Sequence, residues 1–200
     1  MLDFPRSVGR PRKFHLDEAI RSAMNVFWDH GYQRASLSEL LAAMGISKGS
    51  FYKAFGNKKT VFLRAVELYS DDAAQNVRKV LASDPSPKIA LRNAILRFAD
   101  ISAGAEGKRG CFAVLAASET SPEDINSAAL VRNHYDRLQA PFTEAVTEAQ
   151  RAGEISAEFD PQRISHLIVT HAQGRRVLGK MGMSPEKMRE GVDLLMRKFF

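Results

Sequence analysis

Two capped helix starts, at Ser36 and Ser47, frame a glycine corner at Gly45, and this arrangement constrains the chain more than any other feature. Ser36 is a favourable N-cap, and Glu39 three residues on completes a capping box. Leu37, Leu40, Leu41 and Met44 then recur at i, i+3, i+4 and i+7, so the helix has a defined start and one buried side. Gly45 supplies the left-handed backbone needed to leave that helix. Ser47 caps the next one, in which Phe51 and Phe55, four apart, turn inward and leave Lys48, Ser50, Tyr52 and Lys53 uncommitted to a core. Asn57 caps a third, long helix whose first turn carries Lys58 and Lys59. Lysines there oppose the helix dipole unless an anion is nearby. The layout is that of a helix-turn-helix with a basic second helix. A plain helical hairpin with a solvated lysine face shares the same short pattern.

The flanks separate these readings. Leu16, Ile20, Ala23, Met24 and Phe27 form an amphipathic helix that ends at Gly31 and completes a three-helix unit. Ahead of it, Gly9-Arg10-Pro11-Arg12-Lys13 is a non-helical basic arm suited to a phosphate ridge or a narrow minor groove, or else a plain basic tail.

Residues from about Gly9 to Tyr69 resemble the amino-terminal domain of the TetR family of transcriptional regulators. The matching residues are Phe27 with Gly31-Tyr32, Ser36-Leu37 with Leu40, the run from Gly45 through Tyr52, and Phe55 with Lys58. Where the family often has a histidine, just before the phenylalanine that closes the recognition helix, this chain has Ala54, which removes one phosphate contact. The resemblance implies an all-α chain. Residues 1–57 would form the helix-turn-helix DNA-binding domain with its arm, and residues 58–200 a larger helical domain for ligand binding and dimerisation. The implied partners are a near-palindromic double-stranded operator, a small-molecule inducer and a second copy of the chain. The DNA-facing set is Arg10, Arg12, Lys13, Ser36, Ser47, Lys48, Gly49, Ser50, Tyr52, Lys53 and Lys58.

Charge follows the same division. Residues 1–60 hold ten Lys or Arg against five Asp or Glu, and residues 61–200 hold nineteen against eighteen, so nearly all of the net +6 lies in the head. That concentration is an electrostatic footprint for phosphates. With 44% apolar residues the 200-residue chain can bury a real core. The longest apolar run, Cys111 to Ala117, is too short to cross a bilayer, and no apolar stretch of signal-peptide length opens the chain, so a cytoplasmic protein is expected. One cysteine excludes an intrachain disulfide, and no Cys/His cluster suggests a metal or cofactor.

Beyond the head, proline and glycine breaks predict five helices, at about 88–103, 111–119, 123–152, 161–181 and 185–199. Pro141 is expected to kink the third, and a loop is expected over Gly104 to Gly110. A flexible tail is expected over the first eight residues, and a break at Ser121-Pro122. The last two helices carry apolar stripes that predict the dimer interface: Leu167, Ile168, His171 and Leu178 on one, Val192, Leu195, Met196 and Phe199 on the other. Small residues Ala172 and Gly174 would allow close approach. The alternative is that these stripes pack only against their own subunit. Candidate cavity residues are Tyr69, Phe98, Cys111, Phe112, Leu115, Tyr135, Leu138, Phe142, His166, Thr170 and Gln173. Few acidic residues face the presumed cavity by helical spacing, which favours a neutral or anionic ligand.

Cys111 follows Lys108, Arg109 and Gly110 at a predicted helix start, where amides and cations favour a thiolate. It reads either as a sensor of electrophiles, with Lys180 able to capture its oxidised form, or as a small buried hydrophobe. Gly110-Cys111-Phe112 is similar to a segment in TetR-family regulators of electrophile detoxification. An enzyme using Cys111 with His134, His166 or His171 is the competing class. It finds no nucleophile elbow, phosphate loop or dinucleotide fingerprint, and it leaves the basic head unexplained. A nonspecific architectural DNA binder would explain the arm but not so large a body.

Overall fold

The computed structural model describes residues 16–119 and 124–199, and helices are the only regular elements among them. Arg10, Arg12, Lys13, the expected tail and the Ser121-Pro122 break lie outside the described residues. The head is built from α1 (Leu16–Arg34), α2 (Leu37–Met44), α3 (Lys48–Phe55) and the start of α4 (Lys58–Leu81). Its caps form as the sequence requires. The Ser36 hydroxyl accepts from the Glu39 amide at 3.2 Å while the Ser36 amide donates to Glu39 Oε2 at 2.8 Å. The Ser50 amide donates to Ser47 Oγ at 3.2 Å, and the Thr60 amide to Asn57 Oδ1 at 2.9 Å. Gly45 takes the left-handed conformation at φ 64°.

Phe27, Leu40, Phe51 and Val61 are fully buried at the centre of the head. Each such side chain contributes about 1.5–3 kcal/mol. That core does not stop at Asn57. Val61, Phe62, Ala65 and Val66 of α4 belong to it, as do Phe112 and Ala116 of a body helix. Phe62 sits edge-on to both Phe27 (5.2 Å) and Phe112 (5.8 Å), so head and body share one aromatic cluster.

The body comprises α5 (Pro87–Ile101), α6 (Gly104–Arg109), α7 (Phe112–Glu119), α8 (Ile125–Arg151), α9 (Pro161–Lys180), α10 (Pro185–Arg189) and α11 (Val192–Phe199). A second core joins the far half of α4 to α5, α8, α9 and α11 through Val77, Leu91, Leu138, Phe142, Val146 and Ile168. Two expectations are corrected. Residues 104–109, expected as loop, form α6, because Gly107 and Gly179 let it nest on α9. A Cβ built on Gly107 would lie 2.2 Å from the Ser102 carbonyl oxygen, and one on Gly179 would lie 1.9 Å from it. The single last helix is broken at Gly191, whose φ is 82°, into α10 and α11. Pro141 lies inside α8, which continues through it.

The predicted dimer stripes divide. Ile168, Val192, Leu195 and Met196 are buried in the subunit's own core, as is Ala172, so they are corrected from interface to core. The stripe pointed inward because an amphipathic helix uses its most apolar face first. Leu167, Gly174 and Leu178 stay exposed on α9, with His171 half-buried between them, and Met181 continues the same row. The side chain of Phe199 lies outside what is described.

Candidate nucleic-acid interface and ligand cavity

Helix α3 presents one surface outward. Phe51 and Phe55 are buried, which turns Lys48, Gly49, Tyr52 and Lys53 to solvent and leaves Ser50 half-buried. Neither Lys48 nor Lys53 is tied to a partner among the described residues. No described residue obstructs the α3 amino terminus, since none lies within 4 Å of a Cβ built on Gly49. Ser36 and Ser47 are exposed, but their hydroxyls are engaged in the caps.

The two lysines that open α4 depart from expectation. Lys58 folds back over the Tyr32 ring at 4.7 Å and reaches the Gln33 carbonyl at 3.4 Å, and partial burial holds its pKa below the usual lysine value. Lys59 pairs with Asp124 Oδ2 at 2.7 Å. Both point to the chain itself, because a partner that is always present satisfies a cation at a helix start.

A cavity of about 580 Å³ lies between α1, α4, α5, α8 and α9. Five predicted residues line it: Tyr69, Phe98, Cys111, Leu138 and Gln173. Six do not. Phe112 and Phe142 are fully buried in the two cores, Leu115 and Tyr135 pack half-buried against them, and His166 and Thr170 face solvent. Sequence reasoning missed Met24 and Trp28 of the head, His134, and the cations Arg97, Arg109 and Arg176.

Cys111 is buried and caps α7, its carbonyl accepting from the Leu115 amide. The Tyr69 hydroxyl donates to Cys111 Sγ at 3.4 Å. Burial pushes the Tyr69 phenol well above its ordinary pKa, reinforced by Cys111 and opposed by the positive charge of Arg176. The Arg109 side chain turns away from the thiol. It lies over the Trp28 ring at 4.3 Å and donates to Asp29 Oδ1 at 2.9 Å, while Trp28 Nε1 donates to the Arg109 carbonyl at 3.1 Å. The Lys180 stem passes within van der Waals reach of a Cβ built on Gly110, next to Cys111.

His134 stacks on Tyr69 with ring centroids 5.5 Å apart. Its Nδ1 lies 3.0 Å from Ser70 Oγ, whose hydroxyl donates to the Val66 carbonyl at 2.7 Å, so Nδ1 carries the proton. Nε2 is left as a buried acceptor without a partner among the described residues, as is Oε1 of Gln173. Burial, with a smaller contribution from Arg137, lowers the His134 pKa to about 4, so the ring is neutral at physiological pH.

At the opposite end of α7, the Tyr32 amide donates to Glu119 Oε2. Gly31, at φ 78° and ψ 167°, gives the carboxylate room, since a Cβ there would lie 2.1 Å from Glu119 Oε1. Helix α7 therefore touches the cavity at Cys111 and grips the head at Glu119.

Two family models cover this architecture. One described as bacterial regulatory proteins, tetR family, matches residues 19–65, and one described as a tetracyclin repressor-like C-terminal domain matches residues 87–195. The chain belongs to the TetR family. Within it, the chain is 26% identical over 186 residues to the HTH-type transcriptional repressor ComR of Escherichia coli (strain K12), covering 92% of this chain and 89% of ComR. It superposes at a TM-score of 0.81 on a cysteine mutant of the TetR-family transcriptional regulator CifR complexed with 26-bp double-strand operator DNA, with 30% identity over 94% of this chain and 99% of that one. The reduced form of E. coli NemR shares the fold alone, at TM-score 0.80 and 16% identity over 92% and 96% of the two chains. As a TetR-family member the chain is a DNA-binding transcriptional regulator, with α2 and α3 as its helix-turn-helix.

Proposed function

We propose that the protein is a cytoplasmic homodimeric repressor, not an enzyme, that leaves a near-palindromic operator when a small molecule enters the cavity. The observation that carries this reading is the cavity wall itself: Met24 and Trp28 belong to α1 of the DNA-binding head, so a ligand there touches the head directly. In the DNA-bound dimer the α3 helices enter successive major grooves about 34–36 Å apart. Lys48, Gly49, Ser50 and Tyr52 meet base edges or adjacent phosphates, and Lys53 and the arm residues Arg10, Arg12 and Lys13 hold the backbone. The dimer forms along the exposed α9 row of Leu167, Gly174 and Leu178, where Gly174 admits a second helix closely.

Release follows from differential affinity. A ligand favours a state in which Trp28 and Arg109 move apart and α4 tilts, and it weakens operator binding by its preference for that state. The experiment is to incubate the protein with sheared DNA of its own genome at about physiological salt and sequence the fragments retained. Enrichment of one near-palindrome beside a few promoters is expected, whereas a flat profile from folded dimer supports an architectural binder instead.

A covalent variant of the same mechanism is favoured by the position of Cys111 on the cavity wall. The thiol sulfur would add to one alkene carbon of an electrophile such as a maleimide, opening the double bond, and the thiol proton would pass to the neighbouring carbon. N-ethylmaleimide should then release operator from the wild type and not from Cys111→Ser; equal release from both removes Cys111 from the mechanism.

A further inference from the structure

The charges around the cavity do not balance. Among the described residues, Lys79, Arg97, Arg109 and Arg176 line it against a single carboxylate, Asp72. Asp72 is held by Arg21 from α1, and Arg109 is held by Asp29. Arg176 is the unusual member, being only 6% exposed. Its guanidinium donates to the carbonyl oxygens of Ile101 and Gly110, and no carboxylate among the described residues lies within ion-pair distance. A buried cation costs stability unless a counter-charge meets it, and carbonyls at the end of α5 supply only about half a charge. Arg97 and Lys79 are exposed on the same cavity and have no partner among the described residues. Met24, Trp28, Val77, Val80, Phe98 and Leu138 supply the apolar part of the wall, beside the uncharged polar groups of Tyr69, Asn76, His134 and Gln173.

We infer that the cavity is a site for a small organic carboxylate, its anionic group directed to Arg176 and Arg97 and its hydrocarbon body held by the apolar wall. Arginine suits this role because its planar fork meets a carboxylate with paired hydrogen bonds. Two of its nitrogens already hold the backbone, so the guanidinium is fixed in place before a ligand arrives. The volume suits a ligand of this size. His134 Nε2 and Gln173 Oε1, acceptors without a partner among the described residues, offer a carboxylate no hydrogen bond and so leave the arginines as its partners. This assignment rests on the reading of the cavity as the inducer site, but it concerns ligand chemistry and not DNA release.

Trp28 is the sole tryptophan and lines the cavity, so its emission reports occupancy without any label or DNA. Benzoate, hexanoate and 4-phenylbutyrate are titrated against full-length protein beside their neutral amides, with calorimetry as a second readout. The expected result is that acids bind about tenfold or more tightly than the matching amides, the size of one charge-assisted hydrogen bond. That preference should fall severalfold in Arg97→Gln, whose exposed site tolerates replacement. It should vanish in Arg176→Gln and return in part in Arg176→Lys, with near-ultraviolet dichroism confirming that each variant is folded. Equal affinity for acids and amides, no binding of any acid, or a preference unchanged in Arg97→Gln and in folded Arg176→Gln overturns the inference. Because no DNA is present, an acid preference that survives while operator release fails would refute the repressor mechanism and leave the site intact.

Discussion

At the residue scale, His134 shows how a buried ring becomes a pH liability. Its pKa is about 4 in the folded chain, against an ordinary value of 6.5. A base with a depressed folded pKa contributes full stability above the unfolded value and loses it as pH falls through the folded one. The window is therefore about pH 6.5 down to about pH 4, and a shift of this size is worth roughly 3 kcal/mol. Urea midpoints of wild type and His134→Gln should converge as pH falls across that window; parallel curves would show that the ring titrates normally. Lysines divide similarly by environment. Lys53→Gln should weaken all duplexes alike and lower the salt slope by about one. Lys58→Gln should instead cost about 0.5–1 kcal/mol of stability through the lost contact with Tyr32, with little change in slope.

At the element scale, the helix-turn-helix was legible because local chemistry decides it. The caps at Ser36, Ser47 and Asn57 and the inward pair Phe51 and Phe55 depend on neighbours a few residues away. The cavity was less legible. Phe112 and Phe142 looked like lining, but large aromatic rings fill cores first. Arg176 was overlooked because an arginine on a helix ordinarily faces water, and its burial depends on the Ile101 and Gly110 carbonyls that the ends of α5 and α6 bring to it. Trp28 was not singled out, since no sequence pattern announces that the body will wall against α1. The grip of α7 on α1 belongs to this scale. Gly31→Ala should destabilise by about 1–3 kcal/mol through backbone strain, and by more through the Glu119 clash. Adding Glu119→Ala should recover the clash component and leave the strain, so a strictly additive double mutant would deny the contact.

At the scale of the whole molecule, two cores that share α4 and α8 make the head and the body respond together. Dimerisation should rest on the exposed α9 row. Leu178→Asp is expected to give a folded monomer by sedimentation, with operator affinity collapsing because one head engages only one half-site. A dimer that persists would move the interface elsewhere. The measurement that tests the account most directly is the affinity of the dimer for its recovered palindrome and for a shuffled duplex of equal length, by fluorescence anisotropy at fixed physiological salt. A specific regulator predicts a preference of about 10³-fold or more for the palindrome. Equal affinities would contradict it and leave only a basic surface that holds phosphates.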